Sequence, residues 1–223
     1  MKLLYLLVMC FLPFFRCFPQ ESGLPLQTSR SDSSGLLVVH ISGDGGWRGF
    51  DVKMADQYSS HGLSYVALNS FKYFWSAKTP AQLADDMAPV IRLYMSSWHK
   101  DRLVLVGFSF GAEVIPFFYN RLPADLREKT IRIIMITPAA SSDFTIHLSD
   151  MIGADHQYAY DVVKEVEQIR KPGVLILFGE EEHSTFPENH KQDNVVIEFV
   201  KGSHHFTDAT TVMTLIKQKL NAE

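Results

Sequence analysis

Cysteine is scarce in this sequence, and there is no excess of positive charge. Only two of its 223 residues are cysteines, Cys10 and Cys17, and both fall in or beside an apolar N-terminal segment. A domain that follows this segment has no internal disulfide, and a cysteine nucleophile or a thiolate metal site is excluded there. The formal net charge is −4. Because nucleic-acid-binding proteins carry a basic surface, no nucleic-acid partner is expected.

The apolar N-terminal segment is short. One lysine precedes an apolar stretch from Leu3 to Phe15, and the sequence turns polar near Gln20. This is the layout of a secretory signal peptide, whereas a membrane span needs about 20 apolar residues. The cleavage region lacks the usual small residues, so retention as an N-terminal anchor is the alternative. We therefore divide the chain into a signal peptide or anchor, a Ser-rich linker and one folded domain, at 1–22, 23–35 and 36–223.

Beyond the linker, apolar strands alternate with amphipathic helices. Strands are predicted at 35–43, 63–69, 102–108, 130–138, 172–179 and 194–200, and helices at 51–62, 79–98, 110–122 and 207–220. This alternation is typical of an α/β fold, in which helices cover both faces of a mostly parallel sheet. About 33 residues separate Pro138 from Pro172, enough for a short strand FTIHL and a helix at 158–169. No large cap domain is therefore predicted.

A serine lies between two glycines where the third strand meets a helix, in the segment GFSFG at 107–111. This is the context of a nucleophile elbow, in which a strained turn projects the Ser109 hydroxyl from the sheet. The helix N-terminus and the Phe110 N–H favour negative charge beside it. The alternative is a plain turn in which serine caps the helix. The strand before it and the helix after it favour the nucleophile.

A glycine-rich loop, SGDGG at 42–46, follows the first strand. In folds with a nucleophile elbow, the corresponding loop supplies the second N–H of the oxyanion hole. Asp44 is the first choice for this donor and Gly45 the second. Such a loop also suits a phosphate group. However, the sequence contains neither G-x-G-x-x-G nor a Gly-Lys-Ser/Thr motif, and no cofactor is predicted.

Two adjacent histidines follow the last strand, in the segment KGSHHF at 201–206. In hydrolases with a serine elbow, the catalytic histidine lies in a loop at this point of the chain. The spacing from the glycine to the aromatic residue favours His205, with His204 as the second choice. No metal site is predicted, since adjacent histidines cannot both reach one ion without strain.

The third catalytic group is an acid that orients the imidazole and stabilises its cationic form. Three glutamates follow the penultimate strand in GEEEH at 179–183. Glu182 matches the usual place of the acid, and Glu181 is close behind. Asp143, beyond the preceding strand, is the rival.

Five segments together resemble one known family. They are SGDGGW (42–47), YFW (73–75), GFSFGAEVIPFFYNRLP (107–123), SSDFTIHLSDMIG (141–153) and GSHHF (202–206). They are similar to the VirJ/AcvB family of bacterial virulence proteins, and the resemblance extends from about Gly35 to Leu220. It implies an α/β-hydrolase fold in a short, single-domain form, and a periplasmic location in Gram-negative bacteria. One departure is visible, since the family's acidic loop typically carries aspartates where this chain has EEEH.

The resemblance also implies a function. Members of the family are linked to virulence and type IV secretion, and the AcvB branch to hydrolysis of lysyl-phosphatidylglycerol. We therefore expect a periplasmic serine ester hydrolase acting on a lipid or small-molecule ester at the membrane surface, with secretion-system or exported proteins as candidate partners. The alternative is a non-catalytic periplasmic chaperone or secretion accessory that keeps the hydrolase scaffold.

Several residues are candidates for binding such a substrate. The aromatic residues Trp47, Tyr73 and Trp75 lie at or near strand ends on the side of the elbow, where they can form a wall for acyl or glyceryl groups. Glu113 lies one helical turn beyond Ser109 and, with Asp44, can attract a cationic aminoacyl head.

Overall fold

A computed structural model describes residues 23–147, 158–204 and 208–221. Its main sheet has seven strands in the spatial order β1-β3-β2-β4-β5-β8-β9, and β6 and β7 form a separate pair. All neighbours in the main sheet are parallel except β1 and β3. The strands are β1 Leu26–Ser29, β2 Leu36–Ile41, β3 Ser64–Leu68, β4 Arg102–Phe108, β5 Thr130–Ile136, β6 Ser141–Ser142, β7 Tyr160–Asp161, β8 Gly173–Gly179 and β9 Val195–Val200.

Helices cover both faces of this sheet. They are α1 Phe50–Ser60, α2 Ser70–Tyr73, α3 Pro80–Ser97, α4 Phe110–Arg121, α5 Ala124–Lys129, α6 Val162–Glu167 and α7 Ala209–Asn221. One core cluster packs α3, α4 and α6 against the sheet, and a second packs α1 and α7 against the opposite face. The central strands are buried on both faces, which is why their sequences are continuously apolar. The predicted α/β-hydrolase architecture is confirmed.

Helix α3 begins where its sequence predicts. The Thr79 hydroxyl accepts a hydrogen bond from the Gln82 N–H, and the Gln82 side chain accepts one from the Thr79 N–H. Pro80 occupies the first turn, where its missing N–H has no partner to lose. This capping box ends the loop from α2 and sets the direction in which α3 crosses the sheet.

Two predictions about connecting segments are wrong. Residues 23–35 are not only a linker, because Leu26–Ser29 forms the edge strand β1 and pairs antiparallel with β3. Leu26 also packs against the core, which the polar residues around it obscure in the sequence. The predicted strand FTIHL is not formed over its described residues, 144–147, since the pairing is made earlier, by Ser141–Ser142 with β7.

The predicted helix at 158–169 is shorter in the structure. Tyr160 and Asp161 belong to β7, and the helix α6 begins only at Val162. The Asp161 side chain accepts a hydrogen bond from the Lys164 N–H and so caps this helix. The N-terminal segment 1–22, predicted as signal peptide or anchor, lies outside the described residues. None of the described helices is long and apolar enough to cross a membrane.

Candidate functional site

Ser109 lies in a sharp turn between β4 and α4. Its backbone has φ 52° and ψ −121°, a conformation that residues with a side chain rarely adopt. The turn is fixed on both sides, since the Ser109 N–H donates to the Ile136 carbonyl at 2.8 Å and the Ser109 carbonyl accepts from the Ala112 N–H at 2.7 Å. Because no hydrogen bond ties the side chain to the helix as a cap, the hydroxyl is available for other contacts.

The two glycines of GFSFG are required by close packing of backbone on backbone. A Cβ at Gly111 would lie 2.0 Å from the Ile41 carbonyl oxygen at the end of β2. A Cβ at Gly107 would lie 2.3 Å from the carbonyl oxygen of Gly111 itself. The start of α4 therefore presses directly against the neighbouring strand ends, as the motif predicted.

A chain of hydrogen bonds starts at the Ser109 hydroxyl. Its Oγ lies 3.0 Å from His204 Nε2, and His204 Nδ1 lies 2.7 Å from Glu182 Oε1. The three side chains come from the ends of β4, β8 and β9. With Nδ1–H donating to the carboxylate, Nε2 carries no proton and can accept the one from serine. This arrangement can activate a hydroxyl as a nucleophile.

The glutamate in this chain is held firmly by its own turn. Glu182 Oε2 accepts a hydrogen bond from the Gly179 N–H at 3.1 Å, and its side chain is only 6% exposed. Its neighbours Glu180 and Glu181 are exposed. The rival acid, Asp143, instead accepts a hydrogen bond from His147 Nε2 at 2.6 Å. Of the acids considered from the sequence, Glu182 is the one in contact with a histidine beside Ser109.

The histidine in this chain is His204, the second choice from the sequence. The first choice, His205, lies outside the described residues, which resume at Asp208. His204 reaches both Ser109 and Glu182, and its ring also packs 6.0 Å from that of Phe108. The contact of His204 with Ser109 depends on the path of the loop after β9, and the spacing of the motif alone does not reveal that path.

The surroundings of His204 favour its protonated form. Burial lowers the pKa of the imidazole, and the hydrogen bond and charge of Glu182 oppose this by raising it. The nearby carboxylates of Glu113 and Asp44 raise it further, so that the pKa lies above the ordinary value of a histidine. A cation at His204, formed when it takes the serine proton, is thereby stabilised.

The glycine-rich loop after β2 places two candidate donors close to the elbow. The Gly45 N–H donates to the Asp44 side chain at 2.8 Å and is therefore engaged. The N–H groups of Phe110 and Asp44 have no acceptor among the residues that the structure describes. Of the predicted oxyanion donors, Phe110 and Asp44 thus keep a free N–H and Gly45 does not.

The predicted aromatic wall is only partly present at the surface. Tyr73 is buried, and its hydroxyl donates to Asp86 at 2.7 Å, because the turn of α2 points it into the core. Trp47 packs edge-on against the ring of His40 and stacks on Tyr65. Trp75 is 62% exposed and packs on Phe71, which itself borders the glycine-rich loop at Gly46. Trp75 is the member of this set that remains accessible.

Glu113 faces the same site from the first turns of α4. Burial raises the pKa of its carboxyl to about 7, although hydrogen bonds from the Ser142 side chain and the Ala139 N–H lower it. The charge of Asp44 also raises this pKa, whereas His204 lowers it. Glu113, Asp44 and His204 therefore form one electrostatically linked group beside Ser109.

A buried pair behind the glycine-rich loop was not singled out from the sequence. His40 and Asp51 are buried and joined at 2.7 Å, on the opposite face of the sheet from α4. The available signal was the histidine inside the apolar strand segment LLVVHI, since a buried polar side chain needs a partner. Asp51, at the start of α1, is that partner.

Comparison with solved structures shows the same fold in several α/β-hydrolases. Est1E from Butyrivibrio proteoclasticus matches with a TM-score of 0.63 and 13% identity, over 88% of this chain and 92% of that one. MGS-MChE2, an α/β-hydrolase from a sediment metagenome of the Mar Chica lagoon, matches with a TM-score of 0.64 and 12% identity, over 91% and 97%. A thioesterase domain from the curacin biosynthetic pathway matches with a TM-score of 0.57 and 15% identity, over 86% and 94%.

Sequence comparison identifies the family of this chain. A search of curated proteins found no match. The sequence pattern of a bacterial virulence protein family, VirJ, matches residues 35–223, which include the whole of the Ser109 site. The chain belongs to the VirJ family of bacterial virulence proteins.

Proposed function

We propose that the protein is a serine ester hydrolase with Ser109 as nucleophile, His204 as general base and Glu182 as the orienting acid. The observation that carries this proposal is the unbroken chain of hydrogen bonds from Ser109 Oγ through His204 to Glu182. A serine in a strained strand–helix turn, a histidine and a buried carboxylate, each from a different strand end, satisfy the geometric requirements of the triad.

The reaction proceeds through an acyl-enzyme. His204 Nε2 takes the proton from Ser109 Oγ as the oxygen attacks the ester carbonyl, and the N–H groups of Phe110 and Asp44 hold the oxyanion. His204 then gives the proton to the leaving alcohol, and the serine ester remains. Water, deprotonated by His204, attacks this ester and releases the acid and free Ser109. Each oxyanion donor is worth about 3 kcal/mol in other enzymes of this type.

The substrate we propose is an ester whose acyl group carries positive charge, such as lysyl-phosphatidylglycerol, in keeping with the family resemblance. The carboxyl groups of Glu113 and Asp44 lie close enough to His204 to shift its pKa, and they would attract an ammonium group beside the scissile bond. Water cleaves the aminoacyl ester to give lysine and phosphatidylglycerol. Exposed Trp75, on Phe71, lies beside the glycine-rich loop and would meet the lipid.

We place this activity in the periplasm, at the membrane surface, in support of virulence or type IV secretion. A lipid substrate of this size needs an open site. The residues between β5 and β8 that the structure describes form only the short elements β6, β7 and α6, in keeping with such a site. Exported or secretion-system proteins are the proposed partners, because the family is one of virulence proteins.

The test is labelling by a fluorophosphonate probe, wild type against Ser109→Ala. We expect wild type to label and Ser109→Ala not to, followed by release of lysine from lysyl-phosphatidylglycerol vesicles by wild type alone. Labelling without lysine release would keep the serine hydrolase and refute this substrate. Folded wild type that does not label would favour the non-catalytic chaperone or secretion accessory.

The charge preference has its own control. Glu113→Gln keeps the shape of the side chain and removes its charge. With soluble esters, we expect this variant to lose efficiency for lysyl esters but not for uncharged hexanoyl esters, whose acyl chain has the same length and carries no amino group. Equal losses for both esters would refute an electrostatic role in substrate selection.

A further inference from the structure

The strand β9 lies at one edge of the main sheet. Its inner side pairs in parallel with β8, and its outer side pairs with no strand among residues 23–147, 158–204 and 208–221. Proteins usually protect such an edge with proline, a bulge or charged side chains, because its backbone groups are a template for another strand. The sequence of β9, VVIEFV, has no proline, and its one charged residue, Glu198, is held at 2.5 Å by Lys219 of its own chain.

The backbone groups of β9 that point outward belong to its odd-numbered residues. The Asn194 carbonyl accepts a hydrogen bond from the Val174 N–H of β8 at 2.7 Å, so the even-numbered residues face β8. Backbone groups alternate in direction along a strand, so residues 195, 197 and 199 face away from it. The Val195 N–H donates within the turn before the strand. Both backbone groups of Ile197 and Phe199 therefore point to the outer side of the sheet.

Apolar side chains are exposed on both faces of this edge. Val196 is 40% exposed and Phe199 is 46% exposed. Val200, an even-numbered residue like Val196, packs in the core cluster of α1 and α7, so Val196 lies on that face and Phe199 on the other. The Phe199 ring lies 6.1 Å from that of Phe178, on β8. A further strand at this edge would cover apolar surface on both faces.

The charges around β9 are complementary to those of a second, antiparallel copy. A two-fold axis perpendicular to the sheet at Ile197 sets the exposed Asp193 opposite the exposed Lys201 of the other copy, twice in each dimer. An axis one residue later sets the two copies of Glu198 against each other, and an axis one residue earlier sets Lys191 against Lys201. Like charges directly opposite each other destabilise a sheet, so the register centred on Ile197 is favoured.

We propose that the protein forms a two-fold dimer in which the β9 strands of two copies pair antiparallel about Ile197. The two Ile197 residues exchange their N–H···O=C bonds, and each Phe199 N–H donates to the Val195 carbonyl of the second copy. The Phe199 side chain then packs on Val195 of the second copy, and the two sheets become one. This inference does not depend on the proposed function, because the Ser109 site lies at the strand ends and not along β9.

The experiment measures the mass of the full chain by sedimentation equilibrium over a range of concentrations, in a density-matched nonionic detergent. We expect wild type to dimerise. In Phe199→Lys an ammonium group replaces the aromatic ring on each side of the two-fold axis, where it must lose water against Val195 of the second copy. The dissociation constant should therefore rise at least about 100-fold.

The matched control is Val52→Lys, which introduces the same side chain at another exposed apolar residue. Val52 lies on α1 and is 39% exposed. Its substitution should leave the dissociation constant within about threefold of wild type, since no strand edge is involved. It separates loss of the β9 contact from a general effect of added positive charge.

A charge exchange tests the register. Asp193→Lys and Lys201→Asp each replace two attractions by two repulsions, and each should weaken the dimer about 10-fold. The double variant exchanges the two charges and should return to within about threefold of wild type. Within one chain the two residues are about 26 Å apart along the strand, so such a rescue comes from the second copy.

Four results would overturn the inference: wild type that stays monomeric at every concentration, a dimer unchanged in Phe199→Lys, an equal loss in Val52→Lys, or a double charge variant no tighter than its single parents. A dimer held by segment 1–22 would give the second of these. Should Phe199→Lys not fold, the charge variants decide, because they alter only exposed side chains.

Discussion

The imidazole of His204 lies between the Ser109 hydroxyl and the Glu182 carboxylate. Both contacts are short, 3.0 Å to Ser109 Oγ and 2.7 Å to Glu182 Oε1. The side chain is 41% exposed, so solvent and substrate can reach it while Glu182, 6% exposed, remains shielded. This asymmetry suits a base that exchanges protons beside a carboxylate that is shielded from solvent.

The identity of this base is the first prediction at the residue scale. His204→Ala removes the acceptor of the Ser109 proton, and we expect fluorophosphonate labelling to slow by at least about 1,000-fold. His205→Ala is the matched control, one residue along the same loop, and should label within a few-fold of wild type. The opposite outcome would assign the base to His205 and contradict the contacts described for His204.

The acid gives a second prediction, in the dependence of activity on pH. His204 must be neutral to accept a proton, so activity is lost as the pH falls through its pKa. The Glu182 contact holds that pKa above the ordinary value, which is about 6.5. Glu182→Gln removes this contact, and we expect the acidic limb of kcat/KM to move to lower pH.

In the same variant the maximal rate should fall about 1,000- to 10,000-fold, as for the acid of other serine triads. The measurement is the pH profile of ester hydrolysis. Glu181→Gln, an exposed neighbour, should reproduce the wild-type profile. A Glu182→Gln profile with an unmoved acidic limb would show that another group orients His204.

The residues of the site differed in how far they could be predicted. Ser109 and Glu182 follow strands directly, so short local motifs located them. The proposed base was harder to choose, because the contact of His204 with Ser109 depends on how the loop after β9 lies against β4. Tyr73 was misplaced because sequence shows an aromatic residue but not which side of a short helix points into the core. The importance of Asp51 could not be predicted, because it follows from its contact with His40, which the sequence alone does not show.

At the scale of elements, the junction of β4 and α4 depends on the absence of a side chain at Gly111. A Cβ there would approach the Ile41 carbonyl to 2.0 Å, and both sides of this contact are backbone. We expect Gly111→Ala to destabilise the protein by about 3 kcal/mol or more, because neither strand nor helix can shift cheaply in a close-packed interior. Chemical denaturation monitored by tryptophan fluorescence measures this change.

The control for Gly111→Ala is Gly35→Ala. The three heavy atoms nearest to a Cβ at Gly35 would all belong to the side chain of Asp101, which is exposed and can rotate away. That substitution should change stability by less than about 1 kcal/mol. Similar losses in both variants would mean that the backbone contact at the elbow is not what makes Gly111 necessary.

Elements differed in predictability for a physical reason. The central strands β2, β4, β5 and β8 are covered on both faces, so a run of apolar residues marks each of them. The strand β1 lies at the edge of the sheet and is mostly polar, so no run of apolar residues marks it. Its pairing with β3 is what defines it as a strand. The pair β6 and β7 has two residues in each strand, too few for a periodic pattern.

At the scale of the whole molecule, the parallel sheet brings distant residues to one edge. Strands β4, β8 and β9 all end at the same side, which is why residues 109, 182 and 204 meet.

The same meeting of strand ends also brings acidic groups together. Glu113 is held beside Asp44, and burial raises the pKa of its carboxyl to about 7. Burial of this carboxyl beside Ser109 therefore carries a penalty for folding when it is charged.

This penalty predicts how stability depends on pH. A carboxyl with a raised pKa binds its proton more tightly in the folded state, so the folded state is favoured at low pH. As the pH rises from about 4.5 to about 7, the unfolded chain releases this proton first, and stability falls by at most about 3 kcal/mol. His204 acts in the same direction, since its pKa is also raised and its stabilisation is lost above that pKa.

Glu113→Gln removes the titrating group and tests this directly. We compare the free energy of unfolding of the variant with that of wild type at each pH. The variant's advantage over wild type should be about 2–3 kcal/mol larger at pH 8 than at pH 4. The measurement is urea denaturation at both pH values, with exposed Glu180→Gln as the control, which should follow wild type throughout. If Glu113→Gln differs from wild type by the same amount at both values, the pKa of the Glu113 carboxyl is the same in the folded and the unfolded state. The acidic group beside Ser109 would then be stabilised without a cation, and its proposed role in selecting a charged substrate would lose its physical basis.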